Sequence, residues 1–333
     1  MKSFKFVRAA RAVLVFSLLS CPSAWSQSKP VVWMMPPSAS PTDGRILREM
    51  FTHPDEWSEA RKKADVLGYA DWVMNQQFTD SELRAWLPMV HKWGLKFGLE
   101  VGAIKPWGQT AMAAFKQGSR YWDRFQSLGG KIDAITMDEP LCYCRFENKK
   151  FSDAYALEQT AQYIALVRHK YPDMTIEETE PYPSIPVADH ITWIDALQAR
   201  LKQLNVRGMD SYRLDVNWAN FVTEGMRGNG KAPGNWVGVT QIEKACRARK
   251  IPFDLIYWGS VQPALEHKGQ VADWPWYVEI MSEGEAYKLV GGKPDIYCIE
   301  SWTHRPLAVP ESDQWSFSRS VIDFCDRFVK EKK

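Results

Sequence analysis

Acidic residues stand at the ends of several short apolar segments of the sequence. They are Glu100, Asp138, Glu139, Glu178, Glu180, Asp210 and Glu300. Carboxyl groups that lie close together cannot all ionise freely, so the pKa of at least one rises and that group keeps its proton. A protonated carboxyl beside a charged one is what a general acid and its base or nucleophile require. A fold that gathers these side chains would therefore build an acid/base site.

Aromatic residues follow the same apolar segments. Trp33, Trp107, Trp258, Trp302, Tyr212 and Tyr257 lie at or beside the segment ends, and Asn75 adds an amide. A single tryptophan most often packs in a core, and a single acid at a strand end is often a helix cap. Together, however, indole rings and carboxylates suit a sugar, whose flat CH faces stack on an aromatic ring. A phosphorylated substrate would favour arginine, lysine and glycine turns.

Eight short β-rich segments alternate with helix-length amphipathic segments along the chain. The predicted strands are 31–35, 70–74, 97–104, 132–137, 175–180, 206–212, 253–258 and 296–302. Eight strand-helix units in sequence predict an α/β fold of the (β/α)8 barrel type, formed as one domain by residues 27–333. An open doubly wound sheet is the alternative. It usually carries a glycine-rich phosphate turn after its first strand, where this chain has Pro36 and Pro37.

Helix signals between the predicted strands support this alternation. Thr79 and Glu82 have the spacing of a capping box, which would start a helix that reaches Trp93. Gly129 is placed to end the helix after the third strand in a left-handed conformation. The glycine-rich segment 225–234 is predicted to be a mobile lid or a disordered loop.

The carboxyl ends of the strands form the active face of a (β/α)8 barrel. Side chains alternate along a strand, so Glu178 and Glu180 share one face, and Glu177 and Thr179 share the other. We expect Glu180 at the rim and Glu178 one layer down, inside the barrel. Carboxylates from neighbouring strands would then lie near one another.

The N-terminus has the build of a secretory signal peptide. Four basic residues flank the start of an apolar run that ends at Leu19, and Ala24 and Ser26 offer a small-x-small site with cleavage before Gln27. A lipobox ending at Cys21, which would give a lipoprotein, is the alternative. We expect an exported protein, periplasmic or extracellular, without a transmembrane segment.

Charge and cysteine usage argue against several function classes. The chain has 42 basic and 40 acidic residues, and the leader holds four of the basic ones, so the mature chain is close to neutral. That balance offers no electrostatic footprint for nucleic acid or anionic lipid. Cys142 and Cys144 lack the CxxC spacing and a second pair, so a zinc or redox site is not favoured. No pattern typical of a dimer zipper occurs, and we expect a monomer.

The predicted fourth strand resembles that of a known group of enzymes. Met137-Asp138-Glu139-Pro140 resembles the Asn-Glu-Pro exit of strand four in the large clan of retaining (β/α)8 glycoside hydrolases. The resemblance implies that Glu139 is the acid/base, with Asp138 replacing the asparagine that holds the sugar 2-hydroxyl. That clan has its nucleophilic glutamate on strand seven, where this chain has Leu255-Ile256-Tyr257-Trp258-Gly259. Glu300 looks like such a nucleophile but stands on the predicted eighth strand.

The adjacent Asp138 and Glu139 also resemble barrels that hydrolyse N-acetyl sugars with substrate assistance. In that resemblance the aspartate orients the acetamido group and the glutamate is the acid. No separate enzymatic nucleophile is then required, which would account for a seventh strand that does not end in a glutamate.

The leading hypothesis is hydrolysis of a glycosidic bond in an oligo- or polysaccharide, without a cofactor. Glu139 is expected to be the general acid, and Glu180 or Asp210 the base or nucleophile. A carboxyl separation of about 5 Å would predict retention, and about 6.5 to 9.5 Å inversion. The residues expected to contact the sugar are Asp138, Asn75, Glu100, Glu178, Tyr212, Trp33, Tyr257, Trp258, Glu300 and Trp302.

Two other functions are alternatives at this stage. A sugar isomerase or lyase could use Mg2+ or Mn2+ bound by Glu139, Glu180, Asp210 and Glu300, because these ions prefer oxygen ligands. Such barrels usually add a histidine or lysine at a strand end, whereas the histidines are predicted in loops or helices; they are His53, His169, His190, His267 and His304. A non-catalytic glycan-binding barrel would keep the cleft without the chemistry.

Overall fold

Eight parallel strands close into a barrel in the computed structural model, which describes residues 29–38, 44–106, 108–147, 151–218, 234–259 and 272–329. The strands are β1 (Val31–Met35), β2 (Val66–Ala70), β3 (Lys96–Val101), β4 (Ala134–Asp138), β5 (Thr175–Tyr182), β6 (Ser211–Val216), β7 (Phe253–Tyr257) and β8 (Ile296–Glu300). Each strand pairs with its neighbours in chain order, and β8 pairs with β1. The prediction of a (β/α)8 barrel is confirmed. The predicted signal peptide, Trp107, His267 and nearly all of the predicted lid lie outside the described residues.

Helices surround this barrel. They are α1 (Arg45–Thr52), α2 (Ser58–Lys63), α3 (Asp71–Gln77), α4 (Asp80–Lys92), α5 (Ala111–Ser127), α6 (Pro140–Cys142), α7 (Asp153–Lys170), α8 (Val187–Gln203), α9 (Trp236–Ala248), α10 (Trp274–Leu289) and α11 (Phe317–Phe328). A 3-10 turn at Pro54–Trp57 precedes α2, and a π turn at Tyr143–Glu147 follows α6. Within the described part of the chain, every helix is too short or too polar to cross a bilayer.

The second strand lies earlier in the chain than predicted. It is Val66–Ala70, and the rest of the predicted strand, 71–74, instead forms the start of α3. Asp71 begins this helix, and its buried carboxylate accepts a hydrogen bond from the indole N–H of Trp122 at 3.1 Å. The apolar residues after Asp71 pack as one helical face, and the prediction of a strand there is wrong.

The sixth strand lies later than predicted. β6 is Ser211–Val216 instead of 206–212, so Asp210 precedes the strand and does not end it. The inward side chains of β6 are Ser211, Arg213 and Asp215, which leave it without the continuous apolar run that marks most buried parallel strands. The apolar residues that precede β6 are therefore not part of the strand, and the predicted start at 206 is wrong.

Both predicted helix signals are confirmed. The Thr79 hydroxyl accepts a hydrogen bond from the Glu82 N–H at 3.3 Å, and the Glu82 carboxylate accepts one from the Thr79 N–H at 2.7 Å. This reciprocal pair satisfies two backbone donors at the start of α4. Gly129, with φ of 93°, follows α5 in the left-handed conformation expected of a glycine there.

Large side chains fill the interior of the barrel. Trp33 of β1 is fully buried, and Gly68 of β2 and Gly98 of β3 face its ring. A Cβ atom at Gly98 would lie 2.2 Å from that ring, so only glycine leaves room for it. The guanidinium of Arg213 lies over the same ring, 4.3 Å from the centroid. The interior thus combines one large indole with a buried charge.

Candidate active site

A cavity of about 440 Å³ opens at the carboxyl ends of the strands. Five acidic side chains line it, namely Glu100, Asp138, Glu139, Asp215 and Glu300. Four of them are among the residues predicted from the sequence, and Asp215 is new. The cavity lies where (β/α)8 barrels carry their active sites.

Glu100 of β3 and Glu300 of β8 form a carboxyl pair in this cavity. Their side chains share a hydrogen bond. Burial raises the pKa of both groups, and the charges of Glu300 and Asp138 raise that of Glu100 further. The guanidinium of Arg213 lowers the pKa of Glu300, as does the hydrogen bond from Glu100. The pair therefore holds a proton on Glu100, and Glu300 is the first of the two to ionise.

Asp215, near the end of β6, shares the cavity with Glu139. Burial raises the pKa of Asp215 well above its usual range, and the charges of Glu139 and Glu300 raise it further. A carboxyl that keeps its proton beside a charged carboxylate is the arrangement of a general acid and its partner. Asp215 and Glu139 are therefore the best candidates for an acid/base pair.

Glu139 follows β4 at a sharp bend of the backbone. Its φ of 48° and ψ of 51° lie in the left-handed region, which residues other than glycine seldom adopt. The Glu139 N–H donates a hydrogen bond to the Thr179 carbonyl of β5 at 3.1 Å. The Glu139 carbonyl accepts one from the Tyr143 N–H at 3.0 Å. The bend turns the chain from β4 into α6 and leaves Glu139 in the cavity wall.

A lysine also lines the cavity. Lys105 forms an ion pair with Asp138 at 2.9 Å, and its side chain is only 10% exposed. The lysine charge compensates that of Asp138. Lys105 follows β3 and was not predicted to belong to the site, because it stands several residues beyond the strand end.

A buried ion cluster lies one layer below the cavity. Arg213 contacts Glu177 at 2.7 Å and Asp254 at 2.5 Å, and all three side chains are buried between β5, β6 and β7. Burial raises the pKa of Glu177 to about 8, although the charge of Arg213 opposes the rise. Burial also raises the pKa of Asp254. The guanidinium of Arg213 in this cluster lowers the pKa of Glu300 and so favours its ionisation.

Three tryptophans complete the cavity wall. Trp258 and Trp302 form a tilted ring pair with centroids 4.5 Å apart, and Trp258 is buried behind Trp302. Trp302 is 38% exposed and Trp72 is 37% exposed, so both offer ring surface at the mouth. Trp258 and Trp302 were predicted here from the sequence, whereas Trp72 was not.

The two predicted glutamates of β5 face away from the cavity. Thr179 lines the cavity and Glu177 contacts Arg213 inside the barrel, so the even-numbered Glu178 and Glu180 point toward the helices. Glu178 accepts a hydrogen bond from the indole N–H of Trp193 in α8 at 2.7 Å. The prediction that Glu178 and Glu180 share one face of β5 is confirmed, but the prediction that this face points into the barrel is wrong. A shift of one residue in the assignment moves every side chain of a strand to the other face.

Two predicted tyrosines also face the helix layer. The Tyr212 hydroxyl lies 2.6 Å from Nδ1 of His190, a residue of α8, and both side chains are buried. Tyr257 stacks on Tyr297 with ring centroids 6.0 Å apart. Neither tyrosine lines the cavity, so their predicted sugar contacts are corrected to packing roles.

Asp210, Asn75 and Trp33 lie elsewhere in the molecule. Asp210 stands at the amino-terminal end of the barrel, where its carboxylate binds Arg168 at 2.6 Å. Asn75 lies in α3 and accepts a hydrogen bond from Arg124 at 3.1 Å. Trp33 fills the barrel interior. The predicted catalytic role of Asp210 is therefore wrong, since the length of a strand separates it from the cavity.

The predicted metal ligands are not brought together. Glu180 points toward the helices and Asp210 lies at the opposite end of the barrel, which leaves Glu139 and Glu300 in the cavity. In the described ranges, no three side chains of histidine, cysteine, aspartate or glutamate are placed to share one ion. The Mg2+ or Mn2+ site expected from these four residues is therefore not formed.

A signal for Asp215 was present in the sequence. The segment Ser211-Tyr212-Arg213-Leu214-Asp215-Val216 alternates polar and apolar residues with the period of a strand. A barrel strand whose inward side chains form a charged site has its apolar residues on the outward face. This pattern would have identified β6 and placed Asp215 at its end.

Comparisons with known proteins leave the function open, since no family model and no curated protein matches the chain. The solved structures with a similar fold include the YdjI aldolase from Escherichia coli K12, with 9% identity, a TM-score of 0.42, and coverage of 90% of this chain and 88% of that one. A psychrophilic glycoside hydrolase family 10 endo-beta-1,4-xylanase matches with 12% identity, a TM-score of 0.47, and coverage of 89% and 96%. The carboxyl transferase domain of Rhizobium etli pyruvate carboxylase matches with 9% identity and a TM-score of 0.47, over 90% of this chain and 47% of that one. The chain thus spans about half the length of that last structure.

Proposed function

We propose that the protein hydrolyses glycosidic bonds at the barrel mouth, with Asp215 and Glu139 as its acid/base pair. The observation that supports this most is the raised pKa of Asp215, which the charge of Glu139 helps to raise within the same cavity. Two carboxyls held in opposite protonation states are the requirement for this reaction.

The proposed chemistry divides the roles according to which group holds the proton. Asp215 keeps its proton at neutral pH and donates it to the glycosidic oxygen as the bond to the leaving sugar breaks. The Glu139 carboxylate stabilises the positive charge that develops on the sugar, either by attacking its anomeric carbon or by taking a proton from the attacking water. This assignment gives Glu139 the carboxylate role and moves the general acid role to Asp215.

The remaining lining supports a sugar as the substrate. Trp302 and Trp72 offer exposed ring faces, and Glu300 offers a carboxylate that can accept hydrogen bonds from hydroxyls. A volume of about 440 Å³ lies within the range of small-molecule sites. The proposed site of action is the periplasm or the cell exterior, for which the basic and apolar leader of residues 1–26 is the support.

Substitution of each acid tests the proposal. We expect Asp215→Asn and Glu139→Gln each to lower the turnover of a cleavable glycan by about 1,000-fold, because each removes one half of the proton transfer. Release of reducing ends from a panel of glycans measures turnover, and calorimetry with the same glycan measures binding. Glu285→Gln, at an exposed position of α10, is the control and should retain full activity.

Three outcomes would decide against this function. Full activity of Asp215→Asn would exclude Asp215 as the acid. Saturable glycan binding with no product from the wild type would identify a non-catalytic binding barrel. A lyase is the second candidate, favoured by the presence of Lys105 in the cavity; reduction with borohydride in the presence of a keto sugar would then trap an adduct on that lysine. The ion pair with Asp138 argues against this, because an amine nucleophile must be uncharged.

A further inference from the structure

The bend at Glu139 is held by a residue that does not line the cavity. Glu180 of β5 accepts a hydrogen bond from the Leu141 N–H at 2.6 Å on one oxygen and from the Cys142 N–H at 2.9 Å on the other. Its carboxyl group is fully buried. Leu141 and Cys142 form the single turn of α6 that follows the bend directly. The carboxyl therefore binds the two peptide groups that immediately follow Glu139-Pro140.

The bend needs an external support of this kind. Glu139 adopts a left-handed conformation without being glycine, so local preference alone would not hold it there. α6 is three residues long and cannot supply stability of its own. The bond from the Glu139 N–H to the Thr179 carbonyl fixes the residue on the strand side. Glu180 fixes the turn on the other side.

We infer that Glu180 is a positioning residue, whose carboxyl holds the turn after β4 so that Glu139 enters the cavity in its reactive orientation. The inference rests on the proposed function, because it assigns Glu139 a chemical role. Displacement of a reacting group by about 1 Å is enough to cost about 100-fold in rate. Glu180 thus acts on the reaction from outside the cavity.

Glu178 offers a matched control for Glu180. Both side chains are fully buried on the outward face of β5, and they are neighbours in the same hydrogen-bonded group. Glu178, however, binds the indole of Trp193 in α8, and its hydrogen bond with Glu180 can be replaced by the amide of a glutamine at that position. A substitution at either residue disturbs the same layer between barrel and helices. Only the substitution at Glu180 removes hydrogen bonds to the turn after β4.

Glu180→Gln tests the inference. One oxygen remains to accept a hydrogen bond, while the new amide group opposes the second peptide N–H. We expect kcat to fall by about 100-fold with KM within about two-fold of the wild type, because the sugar contacts are unchanged. Hydrogen exchange at the Leu141 and Cys142 amides should become faster in the same variant. Glu178→Gln should leave kcat and both exchange rates within about two-fold.

A second variant covers the case in which Glu180→Gln does not fold. Glu180→Asp keeps the carboxyl group and is shorter by one methylene, so we expect it not to reach both amides and to show the same loss of kcat and protection. Unchanged amide exchange in a folded Glu180 variant would overturn the inference, as would unchanged kcat in a variant whose amides have lost protection. A wild type that cleaves no glycan would refute the proposed function alone, since the exchange measurement would still show whether Glu180 holds the turn.

Discussion

The exposed ring of Trp302 provides much of the apolar surface at the cavity mouth. Its inner face rests on Trp258, which fixes its orientation, and its outer surface is 38% exposed. A side chain that is already ordered loses little entropy when a sugar binds to it. The ring can therefore contribute to binding without taking part in proton transfer.

Trp302→Ala should weaken glycan binding more than it slows the reaction. We expect Kd to rise by about ten-fold, equivalent to about 1.4 kcal/mol, and kcat to change by less than about three-fold. Calorimetry and initial rates measure the two quantities. Trp274→Ala, which removes a 52% exposed indole of α10 from outside the cavity lining, should change neither. An equal loss in both variants would mean that the effect does not arise in the cavity.

Single residues also show how far the sequence could predict this site. Glu100, Asp138, Glu139 and Glu300 were placed correctly, because each lies at or within two residues of a strand end whose apolar run was clear. Glu178 and Glu180 were assigned to the cavity although they face the helices. A pattern of alternation gives two faces and does not say which one is inward, since both faces of a barrel strand are buried. Contact with α6 and α8 settles the face, and those contacts are not local in sequence.

An ion pair at the amino-terminal end of the barrel joins a helix to two strands. Asp210 contacts Arg168 of α7 at 2.6 Å, and its carboxylate also accepts a hydrogen bond from the Ile176 N–H at 2.8 Å. The side chains of both charged partners are less than 10% exposed. The pair connects the end of α7 with the start of β5 and β6, far from the cavity, and its role is structural.

Asp210→Ala should therefore lower the free energy of unfolding and leave kcat nearly unchanged. Removal of one partner leaves the Arg168 charge buried and uncompensated, and we expect a loss of about 3–5 kcal/mol in the free energy of unfolding. Denaturant unfolding measures that loss, and the kcat of the folded fraction should stay within about two-fold. Glu59→Ala breaks an exposed ion pair with Lys62 and should cost less than about 1 kcal/mol. A 100-fold loss of kcat in a stable Asp210→Ala would restore the catalytic role that the sequence suggested.

The two strands whose positions were predicted wrongly, β2 and β6, show what limits the prediction of secondary structure from sequence. An apolar run marks a buried strand only where the inward residues are apolar, which is true of β1 and not of β6. The start of α3 was mistaken for a strand because Val73 and Met74 form an apolar run in either conformation. The number and order of the strand-helix units were nevertheless predicted correctly, because both errors moved a strand within its own unit.

The barrel as a whole buries many acidic side chains. Besides the cavity residues, Glu177, Glu178 and Asp254 are fully buried within or against the strands, with Arg213 as the cation between the first and the last. Burial of several carboxyls in one fold raises their pKa values and makes folding itself dependent on protons. The charges of the buried ion cluster thus affect the pKa values of the carboxyl groups in the cavity.

Stability should consequently fall as pH rises from about 5 to about 8. Burial raises the pKa of Glu177 and of Glu178 to about 8 from the ordinary value of 4.5. A carboxyl whose pKa is raised in the folded state stabilises the fold fully below its unfolded pKa, and this contribution is lost as pH rises through about 8. Burial lowers the pKa of His190 to about 3, so its contribution is lost in the other direction, as pH falls below 6.5. Since two carboxyls outweigh one histidine between about pH 4.5 and 6.5, we expect the midpoint of thermal unfolding to be highest near pH 5 and to decline until about pH 8, above which it should level off.

Glu178→Gln identifies the source of that decline. The amide cannot ionise, so the variant should lose less stability than the wild type between about pH 5 and pH 8, by up to a few kcal/mol. Denaturant unfolding at each pH gives the free energies, and Glu285→Gln, at an exposed position, should follow the wild type. Parallel curves for Glu178→Gln and the wild type would mean that Glu178 is ionised in the folded protein. Glu178 and Glu180 would then share no proton, and the N–H groups that contact them would have to stabilise both charges.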